Sequence, residues 1–295
     1  MPDPLPNGLA YPRITLVTPS FNQGRFLEET IRSILDQGYP NLEYIIIDGG
    51  STDGSVDTIR KYAGQLAYWV SEPDRGQYHA INKGFERSTG EIMAWLNADD
   101  KHCPWALRTV AWMFASVPRL QWLCSRSQLF INPDGDMSGA TFAEQYARSW
   151  FYRGTTLQNQ LNYKSWIQQE STFWRRELWQ AAGGRIDDSL HYAGDYELWA
   201  RFFQHADLAT TTLPLAAFRQ HPAQKTQQIE KYYAEANQVL ARYRRETIQH
   251  PLLIWLLQRV HRYLGRGTGR FGSRTVRLQY LAQKNTWQYV SRPVI

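Results

Sequence analysis

Glu91-Ile92-Met93-Ala94-Trp95-Leu96-Asn97-Ala98-Asp99-Asp100 is an apolar run that ends abruptly in two carboxylates. Ile92 to Leu96 predicts a short buried strand, bounded by Thr89-Gly90 in front and polar residues behind. Adjacent carboxylates at the carboxyl end of a strand repel each other unless a cation sits between them. Hard divalent cations such as Mg²⁺ or Mn²⁺ take oxygen ligands and usually keep positions open for substrate phosphates. In open α/β sheets the carboxyl ends of strands are also where ligands bind. An Asp-Asp pair is ordinary turn chemistry too, so the neighbouring segments must decide.

Working outward, Ile14 to Pro19 reads as a first strand, stopped by the proline. Phe26 to Leu35 reads as a helix with Phe26, Leu27, Ile31, Ile34 and Leu35 on one face. Leu42 to Ile47 is an apolar, β-branched strand of the kind found in sheets covered on both faces. It runs into Asp48-Gly49-Gly50-Ser51-Thr52-Asp53-Gly54. A helix follows through Ile59 to Tyr62, then a short strand at Tyr68-Trp69-Val70, the loop Ser71 to Gln77, and a helix over Ala80 to Phe85. This alternation predicts a parallel α/β sheet with right-handed crossovers. The polar loops at Thr18-Pro19-Ser20, Asp48 to Gly54, Ser71 to Gln77 and Asn97 to Lys101 then share one rim and converge on one crevice. An Asp at such a strand end can accept from a ribose hydroxyl or a base N–H.

Composition sets outer limits. Hydrophobic residues make up 43% and charged residues 20%, as in a globular protein with a sizeable core. The formal charge of +6 and pI near 9.3 favour an anionic partner such as phosphate, nucleic acid or an acidic membrane face. Twelve Trp and 17 Tyr suit sugar faces, bases or a membrane interface equally well. Cys103 and Cys124 form no framework and no metal-ligand spacing, which points to a reducing compartment. Neither a signal peptide nor a transmembrane helix is expected.

Four pieces in order, TLVTPSFNQGRFLEETIRSILDQ (15–37), YPNLEYIIIDGGSTDGS (39–55), SEPDRGQYHAINKGF (71–85) and STGEIMAWLNADD (88–100), closely resemble the nucleotide-sugar-binding half of family 2 glycosyltransferases. The resemblance implies a GT-A fold, a mostly parallel sheet flanked by helices, here with a C-terminal helical extension. It implies an inverting transfer of a sugar from a nucleoside-diphosphate sugar to a saccharide or lipid-linked saccharide acceptor, in cell-surface polysaccharide synthesis, with Mn²⁺ or Mg²⁺ as cofactor and no nucleic-acid partner. By position, Thr18 and Pro19 would line the nucleotide pocket and Asp48 would face the base. Asp74 and Arg75 would approach the base and ribose. Asp100 would hold the cation, and Asp99 the ribose or sugar and the cation site. The physics is consistent, since a cation bridging the diphosphate neutralises charge on the leaving group. Two departures stand out. Asn97 occupies a place where the family often has Asp, which lowers the charge of the cation site. Gly49 occupies another, which removes one contact to the nucleotide.

The second half resembles the family more thinly, to about residue 226. Trp105 to Phe114 predicts a helix, Leu120 to Phe130 a strand, and Asn132 to Asp136 a turn, plausible in a hairpin. Residues 141–167 are rich in Tyr, Trp, Asn and Gln, which suits either an acceptor surface or an irregular aromatic core. In the family a helix begins within the stretch matching His191 to Trp199, with an Asp at its start as general base, which matches Asp195. One base and direct displacement imply inversion. Asp195 also suits the N-cap of a helix over Tyr196 to Gln204. Glu170 and Glu197 are weaker candidates for the base. Phe218 to Thr226 resembles an R-x-H-x-x-S-K-T segment, in which His221 would complete the cation site and Lys225 and Arg219 would pair phosphates.

The expected organisation is 13–105 for nucleotide-sugar binding, 106–225 for acceptor and base, and 226–295 for a basic helical tail. A basic amphipathic tail suits peripheral contact with an anionic membrane, at the cytoplasmic face, or packing with a solvated basic face. Two other classes fit parts of the sequence. A nucleotidyltransferase usually has a basic Gly-rich loop after its first strand, whereas Ser20 to Gly24 carries one Gly and no Lys. A non-catalytic glycan or nucleotide binder would need neither a metal nor Asp195.

Overall fold

All seven residues of the first strand, β1 (Ile14–Ser20), are buried, as a strand covered on both faces requires. The computed structural model describes residues 5, 6, 8–143, 146–154, 157, 166–247 and 274–293. After β1 come α1 (Gly24–Leu35), β2 (Leu42–Asp48), α2 (Ser55–Tyr62), β3 (Tyr68–Ser71), α3 (Gln77–Glu86) and β4 (Ile92–Trp95). Strand β1 pairs in parallel with both β2 and β4, and β2 with β3. In register, Ser20 lies opposite Asp48 and Asp48 opposite Ser71, so three strands end in one row. The chain leaves β1 toward β2 and β3, then crosses back to β4 on the other side. The reversal opens a crevice above the carboxyl ends of β1 and β4.

The remaining elements are β5 (Lys101–His102), α4 (Ala106–Ser116), β6 (Trp122–Ser125), β7 (Ser127–Ile131), β8 (Met137–Phe142), α5 (Arg148–Arg153), β9 (Thr172–Arg175), α6 (Arg176–Ala181), α7 (Gly194–His205), β10 (Ala209–Thr211), β11 (Ala216–Arg219), α8 (Ile229–Thr247), β12 (Arg274–Leu281) and β13 (Thr286–Pro293). Among the described residues the large sheet runs β13-β12-β10-β6-β9-β4-β1-β2-β3, and β5-β11-β7-β8 form a second, smaller sheet. Strand β9 is antiparallel to both β4 and β6, which brings its amino end to the same rim as the carboxyl end of β4. In the small sheet Ala217 of β11 lies opposite Lys101 of β5, so the segment after β11 is carried to Asp99 and Asp100.

Much of the aromatic excess is spent in the core rather than on a surface. Trp95, Trp122, Trp174 and Trp199 are all buried, with Trp199 stacked on Trp95 at 5.9 Å and 5.5 Å from Trp122. These rings join β4, β6 and β9 to α7, each burying apolar area worth about 4–6 kcal/mol at the usual coefficient.

The C-terminal region departs from the expected basic helical tail. Helix α8 is present, but Arg274–Leu281 and Thr286–Pro293 form an antiparallel hairpin that extends the large sheet through β10. The cause is a period near two: Val276 and Leu278 are buried in β12 while Arg277 and Gln279 are more exposed, and Asn285 takes the left-handed conformation in the turn at φ 44°. The expected membrane-facing stretch 252–264 and most of the arginine-rich stretch 265–277 lie outside the described residues. No helix among the described residues is long and apolar enough to cross a membrane.

Candidate active site

The nucleotide side of the crevice is built from the ends of β1 to β3. Thr18 and Pro19 lie buried in β1, and Thr18 Oγ1 shares a hydrogen bond of 3.0 Å with the Tyr44 hydroxyl. Asp48 is fully buried and accepts from the backbone N–H groups of Gly50 (3.1 Å) and Ser51 (2.9 Å) and from the hydroxyls of Ser51 (2.6 Å) and Ser71 (2.7 Å). Four donors match the acceptor capacity of a carboxylate, so Asp48 shapes the loop around it. Asp74 Oδ1 accepts from Gly76 N at 2.7 Å. A Cβ at Gly49 would fall 2.8 Å from Asp74 Oδ2, so the glycine at this departure from the family pattern makes room for another carboxylate. Phe21, 61% exposed, flanks the same glycine. Arg75 turns outward and pairs with Asp188 at 2.7 Å, ahead of α7.

The paired carboxylates are held from behind. Thr30 on α1 donates to the carbonyls of Ala98 (2.9 Å) and Asp100 (2.8 Å). Asp100 is 1% exposed, and its Oδ1 accepts from Arg219 N at 2.9 Å. Burial, reinforced by the charges of Asp99 and Glu170, pushes its carboxyl well above the usual carboxylate range. Asn97 Nδ2 lies 3.4 Å from Asp100 Oδ2, while Asn97 Oδ1 accepts from Gln77 Nε2 at 2.6 Å. Asp99 stays partly open, with its Oδ2 3.0 Å from His221 Nε2.

Arg219 is the correction here. Its side chain is fully buried and donates to Asp99 O (2.7 Å), to the carbonyls of Asn132 and Pro133, and to Glu29 Oε2 (2.5 Å). It frames the carboxylate loop and is not free to pair a phosphate, as the sequence had suggested. Asn132 to Asp136 form the predicted turn, in which Asn132 Oδ1 accepts from the N–H groups of Asp134 and Asp136.

Across the crevice, Asp195 is the second residue of α7. The helix begins two residues earlier than an Asp195 cap requires, with Ala193 at the cap position. A Cβ at Gly194 would fall 2.7 Å from the Tyr78 ring, so only glycine lets α7 start flush against α3. Asp195 Oδ1 accepts from Tyr196 N at 2.7 Å. Burial pushes its carboxyl up to about 7, against the pull of the Tyr232 hydroxyl and the Lys225 ammonium. Lys225 Nζ donates to His191 O at 3.0 Å. Phe151, Trp166, Tyr196, Trp199 and Tyr232 line a pocket on this side, with Trp166 stacked on Tyr232 at 5.3 Å. In the aromatic stretch 141–167, residues 144–145, 155–156 and 158–165 lie outside the described residues.

The two weaker base candidates separate clearly. Glu197 is locked between the Arg201 guanidinium (2.7 Å) and the Tyr243 hydroxyl (2.7 Å), which makes it structural. Glu170 is 4% exposed and its Oε1 has no hydrogen-bond partner among the described residues. Burial, with the charges of Asp195 and Asp99, pushes it up to about 8. The antiparallel placement of β9 brings Glu170 to the rim, a position that its place in the sequence does not reveal.

Among the described residues no three His, Cys, Asp or Glu side chains converge as a ready metal cage. The donors present still fit a hard cation. Two adjacent carboxylates, one buried and costly as an anion, with an imidazole alongside, form an incomplete oxygen-rich set of the kind that leaves positions for phosphate oxygens.

The sequence profile of Glycosyl transferase family 2 matches residues 15–177. Over 93 residues the chain is 38% identical to the putative teichuronic acid biosynthesis glycosyltransferase TuaG of Bacillus subtilis, covering 30% of this chain and 37% of that protein. The chain therefore spans little more than a third of this relative's length. An uncharacterized glycosyltransferase of Rickettsia typhi is 26% identical over 237 residues, covering 76% of this chain and 70% of its own. Among solved structures, S. aureus TarS 1-349 in complex with UDP-GlcNAc superposes with a TM-score of 0.58 at 13% identity, covering 81% of this chain and 68% of that one. The mannosyltransferase PcManGT from Pyrobaculum calidifontis, in complex with GDP-Man and Mn2+, gives 0.54 at 21% identity, covering 90% and 78%. At these identities the structural likeness is one of fold, the GT-A-type α/β architecture.

Proposed function

The chain belongs to glycosyl transferase family 2, and from that premise we propose that it moves a sugar, with inversion, from a nucleoside-diphosphate sugar to a hydroxyl of a saccharide or lipid-linked saccharide acceptor, in cell-surface polysaccharide synthesis. The observation that carries the reading is Asp195, a carboxyl pushed up to about 7, on the opposite side of one crevice from Asp99 and Asp100. A base poised near neutrality takes a proton from the acceptor hydroxyl as its oxygen bonds to the sugar C1 and the C1–diphosphate bond breaks. With a single base on the face opposite the leaving group, the configuration at C1 inverts.

On the donor side, Thr18 and Pro19 form the floor and Asp48 shapes the loop beside the base, while Asp74 and Arg75 serve the base and ribose. Lys225 reaches the diphosphate, and Asp99 the ribose or sugar. Asp100, Asp99 and His221 would hold a divalent cation, Mn²⁺ or Mg²⁺, which when bound neutralises charge on the departing diphosphate. The complexes of TarS with UDP-GlcNAc and of PcManGT with GDP-Man and Mn2+ support this donor class and cofactor.

The test is a panel of UDP-, GDP- and dTDP-sugars, with and without Mn²⁺ or Mg²⁺, read by thermal shift and donor hydrolysis. One donor class should stabilise the protein only with metal. Asp100→Ala should abolish that shift, and Asp195→Asn should keep it while lowering turnover by about 100-fold or more. The acid limb of kcat/KM for wild type should fall near pH 7, because Asp195 must be ionised to act. A protein that no nucleotide sugar stabilises under any metal condition is a binding module and not a transferase.

A further inference from the structure

Helix α8 lies outside residues 15–177, yet two of its side chains and two from the turn ahead of it reach the start of α7. The Glu235 carboxylate accepts three consecutive backbone N–H groups, from His191 (3.0 Å), Tyr192 (2.8 Å) and Ala193 (2.8 Å). Gln228 Oε1 accepts from the Tyr192 hydroxyl at 2.9 Å, and Lys225 donates to His191 O. Tyr232, also on α8, stands beside Asp195 and lowers the pKa of its carboxyl. Ala193, at the cap position of α7, has no side chain to hold the turn. An anion supplied from another helix takes that part, and its charge suits the positive end of α7.

We infer that Glu235 is a positioning residue for the general base, clamping the three residues ahead of α7. The inference rests on the transferase reading above. Asp195 follows Ala193 by two residues, so freeing the clamp moves the base while leaving the nucleotide rim, built by β1 to β4, untouched. A displacement near 1 Å at a reacting group costs about 100-fold in rate. The groups facing Asp195 are Lys225 ahead of α8, Tyr232 on α8, Tyr78 on α3 and Glu170 ahead of β9.

Wild type, Glu235→Ala and Glu235→Gln are compared in Mn²⁺-dependent hydrolysis of UDP-GlcNAc and GDP-mannose, with kcat and KM separated. Glu235→Ala should lower kcat about 10- to 100-fold with donor KM within about threefold of wild type. Glu235→Gln, whose amide oxygen still accepts N–H groups, should recover most of the loss. Two results overturn the inference alone: an active wild type with Glu235→Ala equally fast, or Glu235→Ala and Glu235→Gln both raising KM in proportion to the fall in kcat. A wild type that hydrolyses no nucleotide sugar overturns the transferase reading, and this inference with it.

Discussion

Glu170 is a buried carboxyl with one oxygen unpartnered among the described residues, pushed from 4.5 up to about 8. Between those two values the folded state keeps a proton that the unfolded chain releases, so stability falls as pH rises through the window. The neutral isostere removes this dependence. In EDTA, Glu170→Gln and wild type should melt alike at pH 5, whereas at pH 9 the variant should be the more stable by on the order of a few kcal/mol. Thermal melts across that range check it, and parallel melting curves at pH 9 would refute the protonated carboxyl. Asp195 and Asp99 were legible at this scale because each stands at a recognisable motif end. Glu170 and Arg219 were not. A charged residue in a linear sequence does not announce whether water or protein surrounds it, and Arg219 proved fully buried against Glu29 and the Asp99 carbonyl.

At the scale of elements, α7 matters most, since one end carries Asp195 and its inner face carries Trp199. That ring meets Trp95, Trp122 and Trp174, and so ties the helix to three strands at once. Trp199→Ala should cost about 3–5 kcal/mol. A chemical-denaturation curve measures the loss, and a cost below 1 kcal/mol would mean that α7 is anchored elsewhere. The elements of the first hundred residues followed from periodicity: Phe26, Leu27, Ile31 and Ile34 are the buried face of α1, as their spacing requires. The hairpin β12–β13 was missed. Its arginines suggested a solvated helix, although Thr275-Val276-Arg277-Leu278-Gln279 carries a strand-like alternation that a stricter reading of period would have weighed against charge.

For the whole molecule, 33 Lys and Arg against 27 Asp and Glu give a basic protein, yet Asp99, Asp100, Glu170 and Asp195 gather on one rim. A cation bound there would favour the ionised form of Asp100 and present positive charge to an approaching diphosphate. A matched donor at about 100 times its Kd, with Mn²⁺, should stabilise the fold by about 2.7 kcal/mol. That corresponds to a rise in Tm of about 4 °C for a chain of this length. EDTA should abolish the rise, and a shift that survives chelation would remove the cation from the binding step. Local pattern by itself determined the parallel half-sheet, the row of strand ends and the carboxylates at its rim, because strand period, turn residues and motif spacing are short-range properties. Only the tertiary structure decided which groups surround those carboxylates. Glu29 and Arg219 meet across 190 positions, His221 and Asp99 across 122, and Glu235 reaches the loop before α7 across more than 40. Such pairs exist only once the two sheets and α8 have packed, since burial and hydrogen-bond geometry are properties of the assembled surroundings and not of the residues that enter them.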